Sequence, residues 1–535
     1  MAADTPNTVT LTIDGQEVTV PKGTTLLNAA KEVGSDVPHY CYHPGLSSPA
    51  MCRLCLVEVE GAPKPMPSCV TQAQDGQVVK TQSELALDLR KGVLEFYLVN
   101  HPLDCPICDM SGECNLQDYV HDEGRPHGRS KEPKRVFGRD DFGGDVLFYG
   151  DRCVMCTRCV RFMNEMEQDS RLTVVERGNR SVIDTFFEEG LEGTHWHGNI
   201  VDICPVGALV SKDFLHKARA WDLDHAPSIC PNCSQGCNID LHTRDNLVQR
   251  IKPRENMEVN GWWICDYGRL NYEWINHGHR LEAPLVREGE DVKARGWKDA
   301  LRALLDQAGG LEGKSVKGVV SPYVSNEDLG AFAALVESLG GGEVVYRSAM
   351  AREEVPLKGF PQLARRRELA PNGKGAEVIG ATRVGSDDGR GGLEAVAAHD
   401  GIVLVLGDAL ADQDASFGSN AALYAYFGAR SGPATKAAHF TLPITTFAEQ
   451  EGTFTNLHGR VQRFWPALEA PGASRPAWLI LGALAAERTS SEAPRSAAAC
   501  FTALAEHIPA YAGLSYDDLG TRGAVLNETV PLSGD

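Results

Sequence analysis

Hydrophobic and polar residues alternate at the start of the chain. Residues 9–20, Val-Thr-Leu-Thr-Ile-Asp-Gly-Gln-Glu-Val-Thr-Val, place apolar side chains at every second position on both sides of Asp14-Gly15. Two short alternating runs around an Asp-Gly pair predict an antiparallel hairpin. A helix is predicted to begin near Thr24 or Thr25 and to run to about residue 33.

The second half of the chain has a different pattern. The apolar run Val316–Val320 predicts a strand, and Ser325 with Asp328 is spaced like a capping box at the start of a helix over 326–339. Further strands are predicted at 341–346 and at the all-apolar run Ile402–Leu406. Strands that alternate with helices predict a parallel α/β sheet. The glycine- and aspartate-rich segment 385–392 opens no helix and is predicted to be a solvated loop.

Composition and charge narrow the class of protein. With 535 residues the chain is too long for one hydrophobic core, and its 42% apolar content is that of a globular protein. The net charge of −20 excludes a typical nucleic-acid binder. No export signal and no membrane-length apolar run are visible, so we expect a cytoplasmic location with membrane contact only through partners.

Cysteine is concentrated in the first half of the chain. Fifteen of the 16 cysteines lie within the first 265 residues. In a reducing compartment, pairs of cysteines separated by two other residues (Cys-x-x-Cys) indicate metal binding rather than disulfides. The spacing divides them into four sets, each with four candidate ligands.

The first set follows the predicted hairpin and has the spacing Cys41-x10-Cys52-x2-Cys55-x13-Cys69. It resembles a ferredoxin-type [2Fe–2S] domain, although plant-type ferredoxins have only four residues in the first gap. A structural zinc site is the alternative.

The second set contains only three cysteines, Cys105, Cys108 and Cys114, so a fourth ligand is missing. His101 precedes Cys105 by four positions, which is one helical turn, and we expect its imidazole to reach the same metal. A neutral imidazole in place of a thiolate removes one negative charge and should raise the reduction potential.

The third set is the bacterial ferredoxin triplet Cys153-x2-Cys156-x2-Cys159, with Cys204-Pro205 further along the chain. Since there is only one such triplet, we expect Cys204 to complete the same [4Fe–4S] cluster.

The fourth set, Cys230-x2-Cys233-x3-Cys237-x27-Cys265, resembles the N-terminal [4Fe–4S] motif of molybdopterin-dependent oxidoreductases. Zinc is again the alternative, because two cysteine arms separated by a sheet also form zinc sites. Cys500 lies in an apolar helical stretch and is predicted to be a core residue.

The order of the four sets, with His101 in the second, resembles the cluster-rich G chain of the respiratory complex I family, NADH-quinone oxidoreductase. The resemblance covers about half of the chain, residues 7–280. It implies one [2Fe–2S] cluster in the first set and three [4Fe–4S] clusters in the others. The fourth cluster is an extra one, which some bacterial members carry off the main electron path.

The segment 449–462 resembles part of the molybdopterin oxidoreductase fold, in shortened form and without the cofactor. The implied fold class is therefore α+β ferredoxin-type iron–sulfur domains followed by an α/β domain of molybdopterin oxidoreductase-like fold. The expected domains are 7–84 ([2Fe–2S], β-grasp), 85–124 (His-Cys [4Fe–4S]), 145–222 (ferredoxin-like [4Fe–4S]), 223–280 (molybdopterin-type [4Fe–4S]), 281–487 (shortened α/β domain) and 488–535 (C-terminal tail).

The resemblance implies a function in electron transfer. Single electrons from NADH and FMN on a partner chain would pass toward quinone, and the whole complex, an NADH:quinone oxidoreductase and translocase, would couple this to proton translocation. No Gly-x-Gly-x-x-Gly segment follows a strand, so nucleotide and flavin should bind elsewhere. No catalytic acid, base or nucleophile is expected. The expected partners are the flavin-binding subunit and other peripheral-arm subunits, at the cytoplasmic face of the bacterial inner membrane.

Other protein classes remain as alternatives. An iron–sulfur subunit of a NAD-reducing hydrogenase would share the first three sets. A formate dehydrogenase needs a longer molybdopterin domain, and an iron-only hydrogenase needs further cysteines after Cys265, where only Cys500 remains. A zinc-rich scaffold is the alternative that is not an enzyme.

Overall fold

The computed structural model describes residues 7–185, 188–276 and 278–527. Residues 186–187 and 277 of the predicted cluster domains, and 528–535 of the predicted tail, lie outside the described residues. The chain forms two compact units, 1–223 with 357–360 and 224–356 with 361–535. Within the described ranges, no helix is both long enough and apolar enough to cross a membrane.

The first unit begins with the predicted hairpin, which is confirmed. Its two strands pair antiparallel, with Ile13 opposite Gln16. The helix Leu26–Glu32 follows, and the Thr25 hydroxyl caps it by accepting the Asn28 N–H at 3.3 Å. Leu27 is fully buried in the core beside the sheet. In spatial order, the sheet strands are Gln16–Pro21, Thr8–Ile13, Val78–Lys80, Leu56–Val59 and Met66–Pro67.

Short elements make up the rest of the first unit. A three-stranded sheet contains, in spatial order, Leu209–Ser211, Val146–Tyr149 and Arg139–Asp141. A separate hairpin pairs Leu172–Val175 with Val182–Thr185. The helical segments are Glu84–Asn100, Cys105–Ile107, Asn115–Glu123, Gly150–Arg152, Arg158–Phe162, Met163–Glu167, Gly178–Arg180, Asn199–Asp202 and Ala220–Asp222.

The second unit contains two larger sheets. The first is a three-stranded antiparallel sheet of Asp224–Ile229, Asn238–Arg244 and Leu247–Pro253. The second has eight strands in the order Asp291–Ala294, Leu285–Glu288, Phe440–Pro443, Leu423–Gly428, Ile402–Leu406, Val316–Val320, Gly342–Tyr346 and Thr382–Arg383. Its last six strands are parallel, so the α/β prediction is confirmed.

The central strand Ile402–Leu406 is buried on both faces. Leu404 and Leu406 belong to one hydrophobic core, and Val403 and Val405 belong to the core on the other face. Parallel strands covered on both sides read as continuous apolar runs, which explains the sequence pattern. The predicted capping box is also present, because Ser325 and Asp328 bond to each other's backbone N–H groups.

The described part of the predicted tail is not separate from the α/β domain. Cys500, Phe501 and Tyr511 lie in the same core as the central strands, which confirms Cys500 as a core residue and corrects the tail prediction. The strand Ala524–Val525 pairs with Arg460–Phe464, which also pairs with Gly452–Thr455.

A small pair of strands in the second unit joins Val355–Pro356 to Ala364–Arg365. The helical segments of this unit are Asp266–Leu270, Glu273–Asn276, Trp297–Gly309, Asn326–Ser338, Gly373–Val378, Glu394–Ala397, Pro433–Ala437, Phe447–Glu449, Ala477–Thr489, Ala497–His507, Pro509–Tyr511 and Tyr516–Leu519.

Candidate metal centres

The first ligand set lies buried beside the five-stranded sheet. The sulfurs of Cys41 and Cys52 are 3.4 Å apart, and the Cys69 side chain contacts both Cys41 and Cys55. Contacts with the thiols of Cys52 and Cys69 hold the pKa of Cys41 well below its usual range, whereas contacts with Cys41 raise the pKa of Cys52 and of Cys69. Thiols this close do not all ionise unless a cation neutralises them, which fits an iron-bound set.

The second set follows a helix that ends at Asn100. His101 is extended (φ −61°, ψ 127°), because a residue before a proline is disfavoured in the helical region. Cys105 begins a separate helical turn, so the expectation that His101 and Cys105 share one helical turn is wrong. Cys105 is exposed, whereas Cys108 and Cys114 are buried.

The environment of His101 suits a metal ligand. Burial, and then the positive charges of Lys134 and Arg152, lower the pKa of His101 to about 4. The neutral imidazole required for metal binding is therefore the form present near neutral pH. Burial raises the pKa of Cys108 and the charge of Arg152 opposes that rise, so one guanidinium acts electrostatically on both side chains.

The third set is assembled around one cavity. All four predicted ligands, Cys153, Cys156, Cys159 and Cys204, line it, and Phe148, Ile183, Val206 and Leu209 supply apolar wall. Burial raises the pKa of all four thiols, to about 12 for Cys204, so they stay neutral unless a cation binds. The structure thus brings Cys204 to the triplet, and the donor set fits a cluster.

The backbone between these cysteines is held in an uncommon conformation. Met155 and Thr157 have φ of 51° and 58°, which non-glycine residues rarely adopt. The Met155 N–H donates to the Cys153 sulfur at 3.3 Å. Strained backbone of this kind is concentrated at functional sites, where surrounding structure maintains it.

The fourth set lies in the second unit, at the end of the three-stranded sheet. Its four cysteines, Cys230, Cys233, Cys237 and Cys265, are all buried, and burial raises the pKa of each thiol. The Cys230 N–H donates to the Cys237 carbonyl at 2.8 Å. Cys265 caps the helix Asp266–Leu270, where its sulfur accepts the Gly268 N–H at 3.2 Å. The Cys265 thiol also interacts electrostatically with the thiols of Cys230, Cys233 and Cys237, so the distant fourth cysteine lies near the other three.

Contacts join the third set to both other sets of the first unit. The carbonyl of Pro205, next to Cys204, accepts the N–H of Asn115, next to Cys114, at 3.1 Å. On the other side, Arg161 donates to the carbonyls of Cys41 at 2.5 Å and of Cys156 at 3.3 Å. The third set therefore contacts both of the others, which their sequence order does not show.

Several residues that shape these sites were missed by the sequence analysis. They include Arg152, Arg158, Glu165 and Gly207, which contact the ligand loops but belong to no cysteine spacing. Arg158 lies inside the triplet and Gly207 closely follows Cys204, so the sequence could have pointed to these residues only through their position next to a ligand.

Across the described ranges, no three histidine, cysteine, aspartate or glutamate side chains are placed to hold a single metal ion.

The second unit also has a cavity of about 270 Å³ at the carboxyl ends of its parallel strands. Asp408 accepts the N–H groups of Ala429 and Arg430 at 3.0 and 3.1 Å, and Asp328 accepts those of Ser325 and Trp478 at 3.1 and 2.8 Å. Backbone donors that could bind a pyrophosphate are thus already bonded to carboxylates, which would repel it.

Five family models match consecutive parts of the chain. They are the 2Fe-2S iron-sulfur cluster binding domain over 6–84, the NADH-ubiquinone oxidoreductase-G iron-sulfur binding region over 90–129, the ferredoxin-like domain of NADH-quinone oxidoreductase subunit 3 over 143–210, the molybdopterin oxidoreductase Fe4S4 domain over 224–277 and molybdopterin oxidoreductase over 372–487. The predicted fold class is confirmed, and the chain contains 2Fe-2S and 4Fe-4S domains.

Curated relatives match the same region. The G chain of NADH-quinone oxidoreductase from Rickettsia felis is 37% identical over 333 residues, 62% of this chain and 49% of the relative. The mitochondrial NADH dehydrogenase [ubiquinone] iron-sulfur protein 1 of Solanum tuberosum is 40% identical over 333 residues, 62% of this chain and 45% of the relative. The corresponding G chain from Streptomyces coelicolor is 42% identical over 299 residues, 55% of this chain and 35% of the relative.

These matches confirm the predicted resemblance to the G chain. The chain spans about half the length of the curated relatives that it matches. A crystal structure of an NAD+-reducing [NiFe]-hydrogenase in the H2-reduced state is 30% identical, covers 39% of this chain and 90% of that chain, and has a TM-score of 0.36, which does not establish a shared fold.

Proposed function

We propose that this chain, whose cluster-binding part is similar to the G chain of NADH-quinone oxidoreductase, is the electron-relaying iron–sulfur subunit of such a complex. The observation that carries the proposal is the serial contact of three ligand sets within one unit. Arg161 joins the first set to the third, and the Pro205 loop joins the third to the second. Single electrons pass between centres that are held at short separations, and these contacts support such a series.

We assign one [2Fe–2S] cluster and three [4Fe–4S] clusters. The first is assigned to Cys41, Cys52, Cys55 and Cys69. The other three are assigned to His101 with Cys105, Cys108 and Cys114, to Cys153, Cys156, Cys159 and Cys204, and to Cys230, Cys233, Cys237 and Cys265. The clusters supply one-electron chemistry, and the chain's own residues bind them, bury them and set the charge around them.

The surroundings of the second set support electron exit to a partner chain. Cys105 is exposed, and the neighbouring Leu103 and Ile107 are 90% and 62% exposed. A ligand at the surface beside apolar side chains is what a docking partner with its own redox centre needs. An electron that enters at the first set passes the third before it reaches this face.

The wider assignments follow from the same proposal. The partners are a flavin- and NADH-binding subunit and other peripheral-arm subunits, with electrons delivered toward quinone and proton translocation by the complex as a whole. The chain lies at the cytoplasmic face of the bacterial inner membrane and reaches the membrane through these partners. The α/β part of the second unit serves packing and assembly without a molybdopterin.

Metal analysis of the anaerobically purified full chain tests the cofactor assignment. The expected result is a brown protein with about fourteen irons and equal acid-labile sulfide, the sum for one [2Fe–2S] and three [4Fe–4S] clusters. A colourless protein that contains zinc would overturn it. Deletion of the gene should also abolish NADH-driven quinone reduction by membranes, and intact activity would contradict the proposed complex.

A further inference from the structure

One helical face lies between the first and third ligand sets. The helix Arg158–Phe162 contains Cys159, the last cysteine of the triplet, and continues into Met163–Glu167. Arg158, Arg161 and Glu165 are three and four positions apart, so their side chains project from one face. All three reach the loop between Cys41 and Cys52, which belongs to the first set.

The two arginine side chains donate hydrogen bonds to backbone carbonyls of this loop. Arg158 donates to the carbonyl of Tyr42 at 2.5 Å and to that of Ile203, next to Cys204, at 3.0 Å. Arg161 bonds to the carbonyls of both Cys41 and Cys156. Each guanidinium therefore bonds to both ligand sets, and its planar fork fixes the angle between them.

Glu165 completes the contact from the same face. Its carboxylate accepts the Ser47 N–H at 2.8 Å and the Ser47 hydroxyl at 2.5 Å, while Arg161 also bonds to the Ser47 carbonyl. Ser47 lies midway between Cys41 and Cys52 in the sequence. The loop is thus held at its ligand cysteine and at its middle.

The charges of the arginines act on the clusters that these sets would hold. Arg158 is buried, and burial strengthens its interaction with nearby charge. Addition of an electron makes a cluster more negative, so a fixed positive charge stabilises the reduced form. Removal of that charge should lower the reduction potential of every cluster beside it.

We propose that Arg158, Arg161 and Glu165 form a clamp that fixes the separation of the first and third clusters, and that the two arginines raise the reduction potentials of both. They are positioning residues for electron transfer between these centres. The inference rests on the proposed function only in that both sets hold clusters.

Redox titration of the full chain, followed by EPR, tests whether the charges of the arginines raise the reduction potentials of the two clusters. In Arg161→Met the potentials of the first and third clusters should both fall, while those of the second and fourth stay near wild type. Arg161→Lys keeps the positive charge, so the potentials of both clusters should stay close to those of the wild type. Arg129→Met removes an equal charge from a surface ion pair with Glu95, away from the ligand loops, and should change neither potential.

The sign of the effect separates charge from simple loosening. Glu165→Gln keeps hydrogen-bonding capacity but removes a negative charge, so any shift should be upward. Downward shifts in both Arg161→Met and Glu165→Gln would indicate general loosening and overturn the charge assignment. A shift of only one cluster in Arg161→Met would overturn the assignment of Arg161 to both.

Hydrogen exchange in the full chain as purified tests the mechanical part, that is, whether Arg161 holds the loop in place. Amides of residues 42–48 should exchange about tenfold faster in Arg161→Met, because charge-assisted bonds to the loop are lost. Unchanged exchange would overturn the clamp. Exchange can be measured whether or not the chain holds iron, so absence of iron from the wild type would contradict the proposed function and leave the clamp to be decided by exchange.

Discussion

Gly207, in the loop after Cys204, lies against Cys108 of the second ligand set. A β-carbon at position 207 would be 2.2 Å from the Cys108 sulfur. The two sets are therefore in direct contact at a position where only glycine fits. This contact explains how a loop that completes one set can also shape the next.

Gly207→Ala is expected to disturb the second cluster more than any other. The added methyl must displace either the Cys108 sulfur or the loop, at a cost of about 1–3 kcal/mol. EPR of the purified chain should show loss or distortion of the second cluster's signal, with the first and fourth unchanged.

Gly128 provides the matched control for this substitution. No heavy atom would lie within 4 Å of a β-carbon at position 128, and the residue is exposed. Gly128→Ala should leave all four signals intact. An equally intact second cluster in Gly207→Ala would show that the contact does not constrain the ligand.

His101→Cys tests the non-cysteine ligand. A thiolate in place of a neutral imidazole adds a negative charge, so the potential of the second cluster should fall by on the order of 100 mV. Redox titration with EPR detection measures the shift. If the signature and potential of the second cluster stay unchanged, His101 is not a ligand. His121, which is exposed and pairs with Asp122, is the control, and His121→Cys should shift no potential.

Gly268→Ala should act selectively on the fourth set. A β-carbon at position 268 would lie 3.1 Å from the Cys230 sulfur and 3.2 Å from Ile264. Because both neighbours are buried, we expect partial loss of the fourth cluster, with iron content falling toward about ten per chain. Gly309→Ala, where a β-carbon meets nothing within 4 Å, should keep full iron content. Equal iron in both variants would contradict the prediction.

Local sequence patterns predicted the elements that depend on local physics. The hairpin at Asp14-Gly15 follows from turn chemistry, and the strand Ile402–Leu406 follows from burial on both faces. Cysteine spacing also grouped the ligands, because adjacent ligands must share a metal. The helical turn expected for His101 failed where Pro102 ended the helix.

Contacts between segments that are distant along the chain could not be predicted from the sequence. Arg158 and Tyr42 are 116 positions apart, and no local periodicity links them. The contacts of the third set with the other two likewise depend on how the Pro205 loop and the Arg161 side chain pack. A single sequence contains the residues of such contacts but not their pairing, because tertiary packing decides it.

Glu327 makes the stability of the second unit depend on pH. Its carboxylate is fully buried and accepts bonds from Thr453 and Tyr516, and burial raises its pKa from 4.5 to about 7. The folded state therefore holds a proton that the unfolded state releases between pH 4.5 and 7. Stability should fall as pH rises through this window, by roughly 3 kcal/mol in total, and level off above pH 7.

Glu327→Gln should remove most of this dependence. An amide stays neutral at all pH values, so the variant should lose less stability between pH 5 and 8 than the wild type, as measured by urea unfolding. Glu337→Gln lies on the same helix at an exposed position and should keep the wild-type slope. If Glu327→Gln and wild type lose equal stability over this range, Glu327 is ionised in the folded chain and its burial is compensated by the bonds from Thr453 and Tyr516.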